Sequence, residues 1–146
     1  MRAVVQVVNM AKLSVEDKMV SEIGRGLVVF FCVEKDDSEE KLAYFSKKIP
    51  NLRVFCDENG KTNLSVKEVG GEILFVSQFT LAGDCEHGNR PSFTMAEAPE
   101  RANKMYLQCA EMIEKEMGVP VKMGVFGADM KILQENDGPF TIILKK

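Results

Sequence analysis

Residues 134–146 read QENDGPFTIILKK, and the fold turns on how the two halves of this stretch are joined. Phe140 to Leu144 is an apolar, β-branched run, the pattern of a buried strand. The residues before it, Asn136-Asp137-Gly138-Pro139, all favour turns. A plain surface turn could be made with fewer of them. Gly and Pro side by side at the mouth of a strand therefore ask for a reason beyond chain reversal. Spacing predicts a turn over 136–139 and a strand over 140–144, well past the last predicted helix.

Working outward, the chain offers partners for that strand. Ala3 to Val8 and Gly26 to Val33 read as strands, and the second is so nearly continuous in apolar residues that both of its faces should be covered. A hairpin strand is expected around Lys18 to Ile23, and further strands at Arg53 to Cys56, Ile73 to Phe79 and Val121 to Val125. Asp36 to Glu40 supplies capping oxygens and first-turn acids. Leu42, Phe45 and Ile49 follow at helical spacing, and Pro50 closes a short amphipathic helix. A second helix starts at Pro99, carries a stripe of Ala102, Met105, Tyr106, Cys109, Met112, Ile113 and Met117, and ends at Gly118 and Pro120. Methionines on such a stripe read as core filling, not as a ligand set. The pattern predicts an α/β fold over a single domain, 1–146: a curved, mostly antiparallel sheet or β-barrel with two packed helices.

Composition narrows the function. The chain has 146 residues, 45% of them hydrophobic, and a net charge of −3. That balance argues against a broad basic face for coating nucleic acid, while leaving room for a local basic patch. No stretch approaches the roughly 20 apolar residues of a membrane span, and the N-terminal run reads as a first strand, not a signal peptide. The cysteines, Cys32, Cys56, Cys85 and Cys109, form no CxxC pair, and His87 is the one histidine. A Cys/His metal site is not expected, and reduced thiols point to a cytoplasmic protein.

Two segments could carry chemistry. In the first, residues 75–94 (FVSQFTLAGDCEHGNRPSFT), a strand ends at Ser77-Gln78-Phe79-Thr80 and an irregular stretch follows. Alternation would place Ser77 and Phe79 on one face and Gln78 and Thr80 on the other. Hydroxyls and freed backbone N–H groups at a strand end can hold an oxyanion. Spacing alone favours a Ser and a Thr that merely finish a strand. A Ser–His or Cys–His triad lacks an orienting partner and a GxSxG elbow. The second segment is the Asn136–Pro139 stretch itself.

The motifs SQFTL at Ser77–Leu81 and NDGPFT at Asn136–Thr141 resemble the signatures of the D-aminoacyl-tRNA deacylase family. MRAVVQ, IGRGLVVFFCV, HGNRPSF at His87–Phe93 and GVFGADM at Gly124–Met130 resemble it in the same order, so the likeness spans the chain. It implies a homodimer that hydrolyses the ester between a D-amino acid and the 3′-terminal adenosine of tRNA, without cofactor or metal. It also implies a cis Gly138–Pro139 peptide, inserted by one subunit into the other's pocket. X–Pro is the bond for which cis costs only about 0.5–1 kcal/mol. Backbone carbonyls there would meet the substrate ammonium and form a wall against an L side chain. Ser77, Gln78, Phe79 and Thr80 are the implied catalytic stretch, with backbone N–H groups around Phe79 and Thr80 holding the oxyanion. Asn136, Gly138, Pro139, Phe126 and Met130 are implied on substrate, and Arg90 and Lys104 on tRNA. Thr80 is left either as a water-orienting group or as a nucleophile. Three residues depart from the pattern. Val7 stands where an arginine usually helps to hold the Gly-Pro segment, which implies a looser filter. Cys32 replaces a common glycine, and His87 a common lysine. A deacylase retuned to other mischarged tRNAs, or a catalytically weak nucleic-acid-binding relative, are the rival expectations.

Overall fold

The β-branched runs form the strands expected of them, the first and last of them longer and several of the others shorter. The computed structural model describes residues 1–118 and 120–146. Its strands are β1 (Arg2–Val15), β2 (Lys18–Ile23), β3 (Gly26–Cys32), β4 (Phe55–Cys56), β5 (Thr62–Leu64), β6 (Glu72–Ser77), β7 (Lys122–Met123) and β8 (Lys131–Lys145). Its helices are α1 (Glu40–Lys48) and α2 (Pro99–Met117).

The main sheet runs β2-β1-β3-β6-β7, with β8 on the other side of β1. The pairings of β1 with β2, β3 and β8 are antiparallel, while β3–β6 and β6–β7 are parallel. The long ladders are thus antiparallel, as expected. Ser21 Oγ donates to Met123 O at 2.6 Å, drawing β2 toward β7 and curling the sheet into a nearly closed barrel. Period-2 alternation then makes two cores. Leu27, Val29, Phe31, Ile73 and Phe75 face the helices, where they meet Phe45, Tyr106 and Ile113. Val28, Leu74 and Val76 face into the barrel with Val8, Ala11 and Leu13. The α2 stripe packs as its spacing predicts, and Gly118 closes the helix at φ +74°.

Four differences from the sequence reading have local causes. Residues 136–139 do not form a turn that starts a strand, because β8 continues straight through them. Gln6 pairs with Thr141 and Val8 with Asn136, so Asp137–Phe140 bulge out opposite the single residue Val7. Pairing to β1 on both sides overrides the local turn preference. The α-helix does end just before Pro50, at Lys48, but the helical segment runs on as a 3-10 turn over Ile49–Asn51 that contains the proline. The strand expected over Val121–Val125 shrinks to β7. Finally, β6 ends at Ser77, and Phe79–Ala82 coil into a 3-10 turn.

Candidate active site

That early end of β6 makes the site. Gln78 N still donates to Phe31 O at 2.8 Å, the last bond of the ladder, before the backbone breaks away at φ −146°, ψ 81°. Ser77, Gln78 and Phe79 therefore do not alternate across a sheet. All three line one cavity of about 490 Å³. Its opposite side comes from Phe126, Met130 and Ile132. Gly124 seats Met130, since a Cβ there would lie 2.8 Å from its sulfur.

The 3-10 turn is held from beneath. Arg2 and Cys32 are cross-strand neighbours of β1 and β3. Arg2 Nη1 donates to Leu81 O at 3.1 Å, while its Nη2 lies 2.8 Å from Glu34 Oε1. The Cys32 thiol contacts Phe79 O at 3.6 Å. Phe79 and Thr80 open the turn, and their N–H groups meet no backbone acceptor among the described residues. Helical turns leave such donors free at their start. Free, fixed N–H groups can stabilise the oxyanion of a tetrahedral intermediate.

The side chains around them are poor nucleophiles. Burial, and then the Glu34 charge, push the Cys32 thiol up to about 11, so it stays protonated at neutral pH. Tyr106 also lines the cavity. Its hydroxyl donates to Phe75 O at 2.7 Å, and burial pushes its pKa above the usual phenol value. With its ring stacked on Phe75 and 6.1 Å from that of Phe126, it is a rigid wall. Thr80 lies outside the lining, and its Oγ1 accepts from Gln78 Nε2 at 2.6 Å. Among the described residues, no three His, Cys, Asp or Glu side chains converge as a metal site would require, and no helix is long and apolar enough to cross a membrane.

The other residues singled out from the sequence lie elsewhere in the single chain. Gly138 and Pro139 are exposed on the β8 bulge and Asn136 at its base, and none of the three lines the cavity with Ser77–Phe79. The Gly138–Pro139 peptide is cis, and Gly138 sits at φ +113°. Arg90 is exposed in the segment after the turn. Lys104 is exposed on α2, with Nζ 3.7 Å from Glu39. Sequence reasoning missed Cys32 and Tyr106 as lining residues, along with Glu97 and Asp129. On the α2 stripe nothing distinguishes Tyr106 from its core neighbours; only packing shows its ring opening on the cavity.

Barrel, cavity and turn form a small α/β domain whose candidate site offers main-chain donors more than charged side chains. Comparison with known proteins makes this specific. The family model described as D-Tyr-tRNA(Tyr) deacylase matches residues 4–145, and the chain belongs to that family. It is 50% identical over 145 residues to a protein of Chlorobaculum tepidum named D-aminoacyl-tRNA deacylase, covering 99% of this chain and 97% of that one. It is 53% identical over 144 residues to one of the same name from Thermoanaerobacter pseudethanolicus, covering 99% and 96%. Among solved structures it resembles the c-Myc DNA Unwinding Element Binding Protein at TM-score 0.92 and 41% identity, over 100% of this chain and 99% of that one. A probable eukaryotic D-amino acid tRNA deacylase shares the fold at TM-score 0.83 and 22% identity, over 98% and 97%.

Proposed function

We propose that the chain hydrolyses the ester of D-aminoacyl-tRNA, releasing the D-amino acid and tRNA, with the whole of 1–146 acting as one domain in a cytoplasmic homodimer. The observation that carries this reading is the full-length likeness to relatives named D-aminoacyl-tRNA deacylase. The geometry supports it. The terminal adenosine fits the apolar side of the cavity at Phe126 and Met130, which brings the ester carbonyl to the turn. An aminoacyl ester is already activated, so placing it against the N–H groups of Phe79 and Thr80, with water nearby, is most of what is required. The ribose 2′-OH can help to orient or activate that water. Thr80 serves as a supporting hydroxyl.

Chirality is selected by Gly138 and Pro139 of one protomer facing Ser77–Thr80 of its partner. Backbone there leaves no room for the β-carbon of an L-amino acid. Arg90 and Lys104 touch tRNA phosphates, and the net charge of −3 keeps such contacts few.

Deacylation of D-tyrosyl-, L-tyrosyl-, glycyl- and L-alanyl-tRNA at equal enzyme tests this reading. D-tyrosyl-tRNA should be cleaved readily, and L-tyrosyl- and L-alanyl-tRNA spared. Glycyl-tRNA, which has no β-carbon to exclude, should be cleaved, if slowly. Glycyl-tRNA as resistant as L-alanyl-tRNA would rule out steric exclusion. Ready cleavage of both L-esters would mean a relaxed filter.

A further inference from the structure

A bulge of four residues makes no ladder bonds of its own, so something must fix its base. Asn136 and Thr141 are the β8 residues that pair with β1 on either side of it. Both are tied into one chain of side-chain amides. Gln134 Nε2 donates to Asn136 Oδ1 at 2.9 Å and to Gln6 Oε1 at 2.8 Å. Gln6 Nε2 in turn lies 3.3 Å from Thr141 Oγ1. The placement follows from strand geometry, because Gln134 and Asn136 share a face of β8 and Gln6 stands directly across from Thr141. The sequence Asn136–Gln134–Gln6–Thr141 thus closes a belt around the mouth of the bulge. Val7, directly opposite, offers nothing polar and is buried in the core. The Gln134 oxygen is buried without a partner among the described residues, so the orientation of that amide is set by its two donor bonds.

We propose that Gln134 and Gln6 are positioning residues. Their amide belt fixes the base of the Asp137–Phe140 bulge and thereby the point at which Gly138 and Pro139 meet the substrate. In this chain the belt supplies the hold that Val7 cannot. The proposal rests on the reading of Gly138–Pro139 as the chirality filter, and its test separates the two ideas.

Gln134→Leu keeps the bulk and removes both donors on a half-exposed strand, so the fold should survive and the thermal midpoint should barely move. Hydrogen exchange of a peptide spanning 136–141 reads the belt directly. The ratio of D-alanyl- to L-alanyl-tRNA deacylation reads the filter. Exchange in the bulge should accelerate and the ratio should fall, each by about tenfold, the scale of one or two lost net hydrogen bonds. Gln6→Leu should do the same, and the double variant should add little, since either change opens one belt. Unchanged exchange in both single variants would overturn the belt. Faster exchange with an unaltered ratio in Gln134→Leu, alongside an altered ratio in Gly138→Ala, would overturn the positioning role and leave the filter standing. An unaltered ratio in Gly138→Ala as well would remove the filter, and the positioning role with it.

Discussion

Asp37 is only 3% exposed, and it remains a carboxylate. Burial alone would push its pKa up. Hydrogen bonds from Lys41 Nζ (2.6 Å), the Met1 ammonium and Glu34 N–H (2.8 Å) outweigh that and hold it below the ordinary value. The sign of the linkage follows. A carboxyl whose folded pKa is depressed contributes stability that is fully present above its unfolded pKa, about 3.9, and is lost as pH falls through the lower folded value. Asp37→Asn should therefore be less stable than the wild type by a constant amount above pH ~5, with the gap closing on acidification below pH ~4. Urea midpoints of both proteins across that range check this. A gap that stayed constant into acid would show that the group is not held charged. The consequence reaches the candidate site, because Glu34 also pairs with Arg2, and Arg2 grips the Phe79–Ala82 turn.

In the proposed reaction, that turn, Phe79–Ala82, is the element on which the chemistry depends. Its N–H groups are useful only if its carbonyls are pinned on the other side, and Arg2 pins Leu81 O. Arg2→Met keeps the aliphatic stem and removes the donors. Hydrogen bonds made by a charged group are worth about 1.5–3 kcal/mol, so on the order of a tenfold or greater loss in kcat is expected. KM should change little, since the apolar wall at Phe126 and Met130 is untouched. Single-turnover deacylation at saturating enzyme measures this, and an unaltered rate would mean the turn holds its shape unaided. The sequence was informative about these elements to different degrees. The α2 stripe revealed its helix because one buried face leaves a period, while β3 and β6 stood out as apolar runs that are buried on both faces. The SQFT and NDGPFT segments also stood out by their motifs. The end of β6 at Ser77 did not, because it is set where pairing with β3 runs out. Nor did the passage of β8 through Asn136–Pro139, since local turn preference there is overruled by eleven pairings to β1. Tyr106 reads simply as core and Cys32 as a strand residue standing where a glycine is common, and their contact with the cavity depends on tertiary packing.

As a single chain the molecule leaves one long strand edge open. β8 lies on the outer side of β1 and presents Leu133 (68% exposed) and Ile143 (73%) to solvent. A long edge strand left open is an association hazard that proteins normally cover. Burying each of those side chains would favour association by about 1.5–3 kcal/mol. The proposed dimer accounts for both the exposed strand and the exposed bulge, which in one chain does not line the cavity. If the site is shared, two different defects on two chains should complement each other. A chain with Gly138→Ala keeps its cavity but distorts its bulge, since φ +113° strains any L side chain and the new Cβ would meet Phe140 N at 2.8 Å. A chain with Ala102→Trp keeps its bulge but fills the cavity that Ala102 lines. Each homodimer should lose its activity toward D-tyrosyl-tRNA. A mixed dimer would pair the intact cavity of the first chain with the intact bulge of the second, restoring one good site. Refolding an equal mixture should recover on the order of a quarter of the wild-type activity, because random pairing makes about half the dimers mixed and each has one working site of two. No recovery, from variants shown by sedimentation to form mixed dimers, would mean that each chain builds its site alone.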